Sequence, residues 1–195
     1  MRIYNTVPQN DLRSSIKGAI QCEDAGYDGI VTLENRHDPF LPLAAAAPNT
    51  KKIELATGVA IAFLRSPMSM ANISWDLNVA SEGRFVLGLG PQIKAHNERR
   101  FSVPWGPPVS RMREYVESLR AIWASWTTGE NLKFSGKHYQ FSLMPPNFVP
   151  ESSPHGPPPV TLAAVGPKML QLAGEVADGV KLHPFCTRKY LEEFV

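Results

Sequence analysis

Cysteine is scarce in this chain: Cys22 and Cys186 stand far apart and form no CxxC pair. That excludes a disulfide framework and a cysteine-built zinc cluster, and no metal site is expected. Charge of one sign is scarce too, with a net +2 over 195 residues. A balance so close to neutral makes no electrostatic case for nucleic acid or an anionic membrane surface. Long apolar runs are missing. The most apolar stretch, Leu55 to Leu64, falls well short of the roughly 20 residues that span a bilayer. The N-terminus lacks a charged-then-apolar leader, so no secretory signal is expected. What remains is a soluble, cytoplasmic, globular protein, long enough to bury one core as a single domain over 1–195.

A recurring joint is the most useful feature present. Gly26-Tyr27-Asp28-Gly29, Ser81-Glu82-Gly83 and Ala177-Asp178-Gly179 each follow a helical pattern and precede a short β-rich run. Glycine in such an acid-Gly pair suits a left-handed helix C-cap ahead of a buried strand. Between the joints, strands are predicted at Arg2–Val7, Gly29–Leu33, Ile53–Val59, Arg84–Leu89, Val160–Ala164 and Gly179–Leu182. Helices start near Asp11, at Asp38-Pro39 and at Ser66-Pro67, where a capping side chain precedes or accompanies proline. Ser110 is expected to cap a fourth helix, whose Met112, Tyr115, Val116, Leu119, Ile122, Trp123 and Trp126 keep helical spacing. A fifth helix runs from Pro167 to Gly174, and Tyr190–Val195 reads as one just beginning. An insertion at about 130–159 holds a hairpin, Leu132–Phe141, turning at Ser135-Gly136. A loop with seven prolines follows, Met144–Pro159, stiff and non-helical. Alternating strands and helices imply a parallel sheet, doubly wound or closed as a barrel. Six strands make about three-quarters of the eight that a (β/α)8 TIM barrel needs.

Several motifs sit at the strands' C-terminal ends, where such a sheet carries its chemistry. Gly88-Leu89-Gly90-Pro91-Gln92 allows close backbone approach to a ligand, although a tight turn needs the same glycines. The third glycine of a dinucleotide fingerprint is missing. Glu34 and His37 follow the second strand, where either could serve as acid or base, or His37 is incidental to helix entry. Gly166-Pro167-Lys168 opens a helix whose free amides favour phosphate, or is an ordinary proline start. His96, Arg99, Arg100 and Trp105 lie in the long loop after the fourth strand, and His183 follows the sixth. The third helix has an apolar face in Met70, Ile73, Leu77 and Ala80 and a second in Met68, Trp75 and Val79. The second face points to a homo-oligomer interface over 67–81, or to cover by the chain's own loops.

Together these residues resemble the bacterial luciferase-like monooxygenase superfamily. The resemblance rests on Gly26–Gly29, Glu34–Phe40 and Ser81–Gly90. Gln92–Trp105 and Ala163–Lys168 are similar to the branch of coenzyme F420-dependent oxidoreductases. It implies a (β/α)8 barrel with a flavin or deazaflavin ring at the C-terminal mouth and a non-proline cis peptide after the third strand, here Gly58-Val59. It also implies cofactor contacts from Gly88, Gly90 and Gln92, and a phosphate turn at Gly166, Pro167 and Lys168. Glu34 and His37 match mouth positions that reach the ring or substrate, and His96, Arg99 and His183 are substrate-side candidates. Pro91 departs from the family, replacing a small polar residue and removing one backbone donor. The family's last two strands are absent, so an incomplete barrel with open edges is expected. The implied activity is hydride transfer between coenzyme F420 and a small organic substrate, or FMN-dependent oxygen insertion. The alternative is a shortened, non-catalytic chain that binds flavin or associates with a partner.

Overall fold

The computed structural model describes residues 2–194. Strands β1 (Tyr4–Thr6), β2 (Gly29–Thr32) and β3 (Glu54–Thr57) alternate with helices α1 (Leu12–Asp24) and α2 (Phe40–Ala46). A short β4 (Ala60–Ile61) then leads to α3 (Pro67–Ala80), β5 (Phe85–Gly90) and α4 (Pro108–Thr128). The hairpin β6 (Phe134–Ser135) and β7 (Gln140–Phe141) stands apart as its own antiparallel pair. The alternation resumes with β8 (Val160–Ala164), α5 (Pro167–Val176), β9 (Gly179–Leu182) and α6 (Arg188–Phe194). Val195, the last residue of the predicted terminal helix, lies outside the described residues.

All pairings in the main sheet are parallel, in the order β1-β2-β3-β5-β8-β9, with β4 pairing β5 beyond the end of β3. The six expected strands are the six of this path, and the sheet curls into an incomplete barrel. Its outer face is dry: Ile30, Leu55, Phe85, Leu87, Leu89, Val160 and Leu162 are fully buried under the helices. On the inner face Val31, Val86, Thr161 and Lys181 are only half-buried. This period-two split follows from alternate side chains leaving opposite faces of a strand. Among the described residues β1 and β9 pair on one side only.

The local reasons are mostly those the residue types supply. Asp11 accepts from the Arg13 and Ser14 amides and starts α1, and Ser66 accepts from Ser69 N–H ahead of Pro67 in α3. Asp38 Oδ1 accepts from the Phe40 and Leu41 amides. Three expectations need correction. Helix α4 starts at Pro108 after Pro107, with Ser110 already inside its first turn; proline's fixed φ prepares the entry without a side-chain cap. The segment after β5 is no extended loop, because His96–Arg100 forms a single π-helical turn. The acid-Gly glycines are not alike either: Gly83 has φ +82°, but at the first joint the left-handed residue is Gly26 (φ +81°), while Gly29 and Gly179 begin strands. Gly29 is small because the Tyr4 ring lies where its Cβ would be.

The chain itself covers much of α3. Trp75, expected to meet a partner subunit, is buried edge-on against Trp126 of α4, with ring centroids 5.6 Å apart. Asn78 donates to the Gly156 carbonyl at 3.0 Å, fastening the proline-rich loop over the same helix. Val79 stays exposed. Among the described residues no helix is long and apolar enough to cross a membrane.

Candidate active site at the C-terminal mouth of the sheet

The mouth is organised around a bend after β3. The Gly58-Val59 peptide is cis, as the resemblance implied, and Gly58 N–H still donates to Thr32 O at 2.7 Å. Register between β3 and β5 runs through Ala56 and Val86, and then Thr57 takes over with its side chain. Its buried hydroxyl donates to Gly88 O at 2.7 Å and accepts from Gly88 N–H at 2.9 Å. The glycines around the bend are demanded by its own packing. A Cβ at Gly88 would lie 1.9 Å from Thr57 O, one at Gly90 2.7 Å from Val59 Cγ2, and one at Gly58 2.3 Å from Val31 Cγ2. Such separations leave no room for a side chain, and backbone cannot yield as a flexible side chain does. Gln92, next after Pro91, has φ +60° and turns its Oε1 onto Ile93 N–H at 2.9 Å.

Glu34 is drawn into a cation's coordination. Its carboxylate meets Arg65 at 2.8 and 2.9 Å and accepts from Ile61 N–H at 2.6 Å, with its side chain only 8% exposed. Arg65 also bonds Asp38 at 2.9 Å and lies over the Phe40 ring. Burial works against the Arg65 charge, but Glu34 and Asp38 outweigh it and hold the guanidinium above its ordinary range. The cluster therefore ties the loop after β2 to β4, on the far side of the bend. His37 is exposed in the same loop and makes no hydrogen bond among the described residues. Arg100 donates to Asn35 O, so the turn after β5 reaches the same loop. His96 and Arg99 on that turn are exposed, and buried Asn97 holds it by donating to Pro91 O at 2.9 Å.

The other side of the mouth is open. Gly166 precedes α5 with nothing within 4 Å of the place a Cβ would occupy, and Pro167 and Lys168 are exposed. A helix of this length with an uncovered N-terminus and a nearby lysine fits a phosphate group. Tyr190 of α6 donates to Val165 O beside it. His183 is exposed, its ring 5.1 Å from that of Phe185.

Thr57 and Arg65 shape the candidate mouth, and sequence reading missed both. Thr57 carried a faint signal, a threonine at a strand end before glycine. Arg65 carried none, because its partners lie 27 and 31 positions away.

The family model described as luciferase-like monooxygenase matches residues 2–195. An uncharacterised Mycobacterium tuberculosis protein, Rv1360, is 48% identical over 193 residues, covering 99% of this chain and 56% of its own. The 5,10-methylenetetrahydromethanopterin reductase of Archaeoglobus fulgidus is 36% identical over 163 residues, covering 83% and 46%. This chain thus spans about half the length of the curated relatives it matches. Among solved structures, the monooxygenase RslO1 of Streptomyces bottropensis superposes with a TM-score of 0.83 at 22% identity, over all of this chain and 63% of that one. The coenzyme F420-dependent tetrahydromethanopterin reductase of Methanopyrus kandleri gives 0.70 at 22%, over 93% and 55%. The 3,6-diketocamphane monooxygenase component from Pseudomonas putida, in complex with FMN, gives 0.72 at 19%, over 90% and 56%. At these identities the structural likenesses establish the fold.

Proposed function

We propose, for a chain that belongs to the luciferase-like monooxygenase family, an oxidoreductase that moves a hydride between coenzyme F420 and a small organic substrate. One observation carries this reading: the bend at Gly58-Val59, packed on Gly88 and Gly90, faces a mouth whose other side offers an uncovered helix start at Gly166. A flat ring with a phosphate-bearing tail fits that pair of features. The reductase relatives, named for tetrahydromethanopterin chemistry, favour F420. FMN is the second reading, favoured by the FMN-bound monooxygenase neighbour.

The ring, when bound, supplies the hydride at its carbon 5, and the protein supplies position and electrostatics. Gly166, Pro167 and Lys168 hold the phosphate, while Gly58, Val59, Gly88, Gly90 and Gln92 border the ring. Glu34, occupied by Arg65 and Ile61 N–H, keeps the loop in place. His37, exposed in that loop without a hydrogen bond among the described residues, exchanges the proton with the substrate. His96, Arg99 and His183 stand on the substrate side.

The test is a parallel titration of the purified chain with coenzyme F420 and FMN, followed by cofactor fluorescence with oligomeric mass read on the same samples. Saturable binding of one, weakened at least tenfold by Gly166→Asp through repulsion of phosphate, is the expected result. A folded chain that binds neither overturns the reading in favour of a non-catalytic, partner-associating role. Binding unaltered by Gly166→Asp removes the phosphate assignment.

A further inference from the structure

The interior of a closed parallel barrel is filled by bulky branched side chains. Here the inner wall at mid-height has a gap in that filling between Val31 and Val86, with Ala56, Gly58 and Gly88 on it, because the bend after β3 forbids side chains at the two glycines. Lys181 of β9 lies in the gap. Its Cε is 3.1 Å from the place a Gly88 Cβ would take, and its Nζ is 3.4 Å from that of Gly58. The ammonium therefore reaches the underside of the bend. A cavity of about 360 Å3 adjoins it, walled by Tyr4, Val31, Glu54, Val86, Thr161 and Lys181.

The charge of Lys181 is not met by any hydrogen bond or ion pair among the described residues. Glu54, the carboxylate on the same wall, is already taken: Arg2 bonds it at 2.9 Å and the Tyr4 hydroxyl donates to it. Thr161 Oγ1 is buried on this wall with no hydrogen-bond partner. Strand register aligns Thr161 with Gly179 and Ala163 with Lys181, so both side chains leave neighbouring strands on the same face. A half-buried cation with no bonded counter-charge and a buried hydroxyl with no partner are each costly to leave so.

We propose that Lys181 and Thr161 form a carboxylate subsite on the inner wall, holding the acid group of a small organic acid substrate beneath the bend. The inference rests on the reading that the bend supports a ring, since it places the substrate's acid group below that ring. One cation and one hydroxyl suit a monoanion, whereas a phosphate dianion calls for more donors. Val31, Ala56 and Val86 suit an apolar tail. Burial pulls the Lys181 ammonium below its ordinary range, outweighing the opposing effect of Glu54; a bound carboxylate would push it back up.

The experiment uses the 195-residue chain without cofactor, labelled with 13Cε-lysine and titrated with isobutyrate, with isobutyramide as the neutral control. The Lys181 resonance is identified by its absence in Lys181→Met, a straight side chain that still covers the glycines. The expected result is a saturable shift of that resonance with isobutyrate alone and an upward move of its titration midpoint. Lys181→Met is expected to weaken isobutyrate binding about tenfold or more, the scale of a charged hydrogen bond, with an unchanged melting temperature. Thr161→Val is expected to weaken it several-fold. A resonance that ignores isobutyrate, or answers isobutyramide equally, overturns the proposal; so does equal binding by Lys181→Met. Because cofactor is absent, failure here leaves the ring reading to its own titration, and failure of cofactor binding leaves this shift to be seen.

Discussion

Glu34 and His37 stand three residues apart in one loop, and their surroundings divide the work between them. Both Glu34 oxygens are engaged, by Arg65 and by Ile61 N–H, so protonating it would leave the half-buried Arg65 guanidinium with Asp38 as its one bonded counter-charge among the described residues. His37 carries no such obligation. With any substrate the chain turns over, His37→Ala is expected to lower the rate about a hundredfold, the usual scale of lost general acid-base help. Its melting temperature is expected to stay unchanged, because the side chain is exposed. A rate that does not fall removes His37 from the chemistry. Both residues follow β2, as strand order implies. Sequence could not rank them, because the deciding partner, Arg65, comes from a distant part of the chain.

Elements were legible wherever a local cause makes them. The caps at Asp11, Asp38 and Ser66, and the helical stripe of α4, all act within a few residues of their cause. What escaped were carboxylates acting across elements. Glu23 accepts from the Lys51, Lys52 and Ile53 amides, and Glu114 from those of Lys137, His138 and Tyr139, clamping the hairpin turn. Burial opposes the Glu114 charge, but these three donors outweigh it and hold its carboxyl below the ordinary range. A group lowered in the folded state contributes stability fully above its unfolded value, about 4.3, and loses it as pH falls through the folded value. Glu114→Ala is therefore expected to cost about 1 kcal/mol at pH 7, kept small by solvent screening. That lowers the melting temperature by roughly 2–4 °C for a chain of this size. Melts from pH 7 down to pH 3 check it: the gap to the parent should close below about pH 4, and a gap independent of pH contradicts the clamp.

The molecule as a whole carries more surface than its mass predicts. It exposes 10988 Å2 at 21.5 kDa, roughly a fifth more than the scaling for closed monomers gives. The excess goes with a half-buried inner wall and with edges at β1 and β9; Ile3, next to β1, is exposed. Backbone in such places opens first. Hydrogen exchange should find the slowest amides in β3, β5 and β8, flanked on both sides, and faster exchange in β1 and β9. Equal protection from edge to edge would mean that both edges are covered in solution, by self-association or by another partner.

Hydrophobic alternation, capping side chains and repeated joints act over a few residues, and by themselves they determined a parallel βα array of six main strands and the strand ends that form its mouth. Tertiary structure alone decided what each mouth residue is free to do. Gly88 and Gly90 are glycines because Thr57 O and Val59 press against them, Glu34 is spoken for by Arg65, and Lys181 lies over glycines while Glu54 on the same wall is bonded to Arg2 and Tyr4. The reason is physical: charge pairing and close packing join residues dozens of positions apart, and a linear pattern does not record which of them meet.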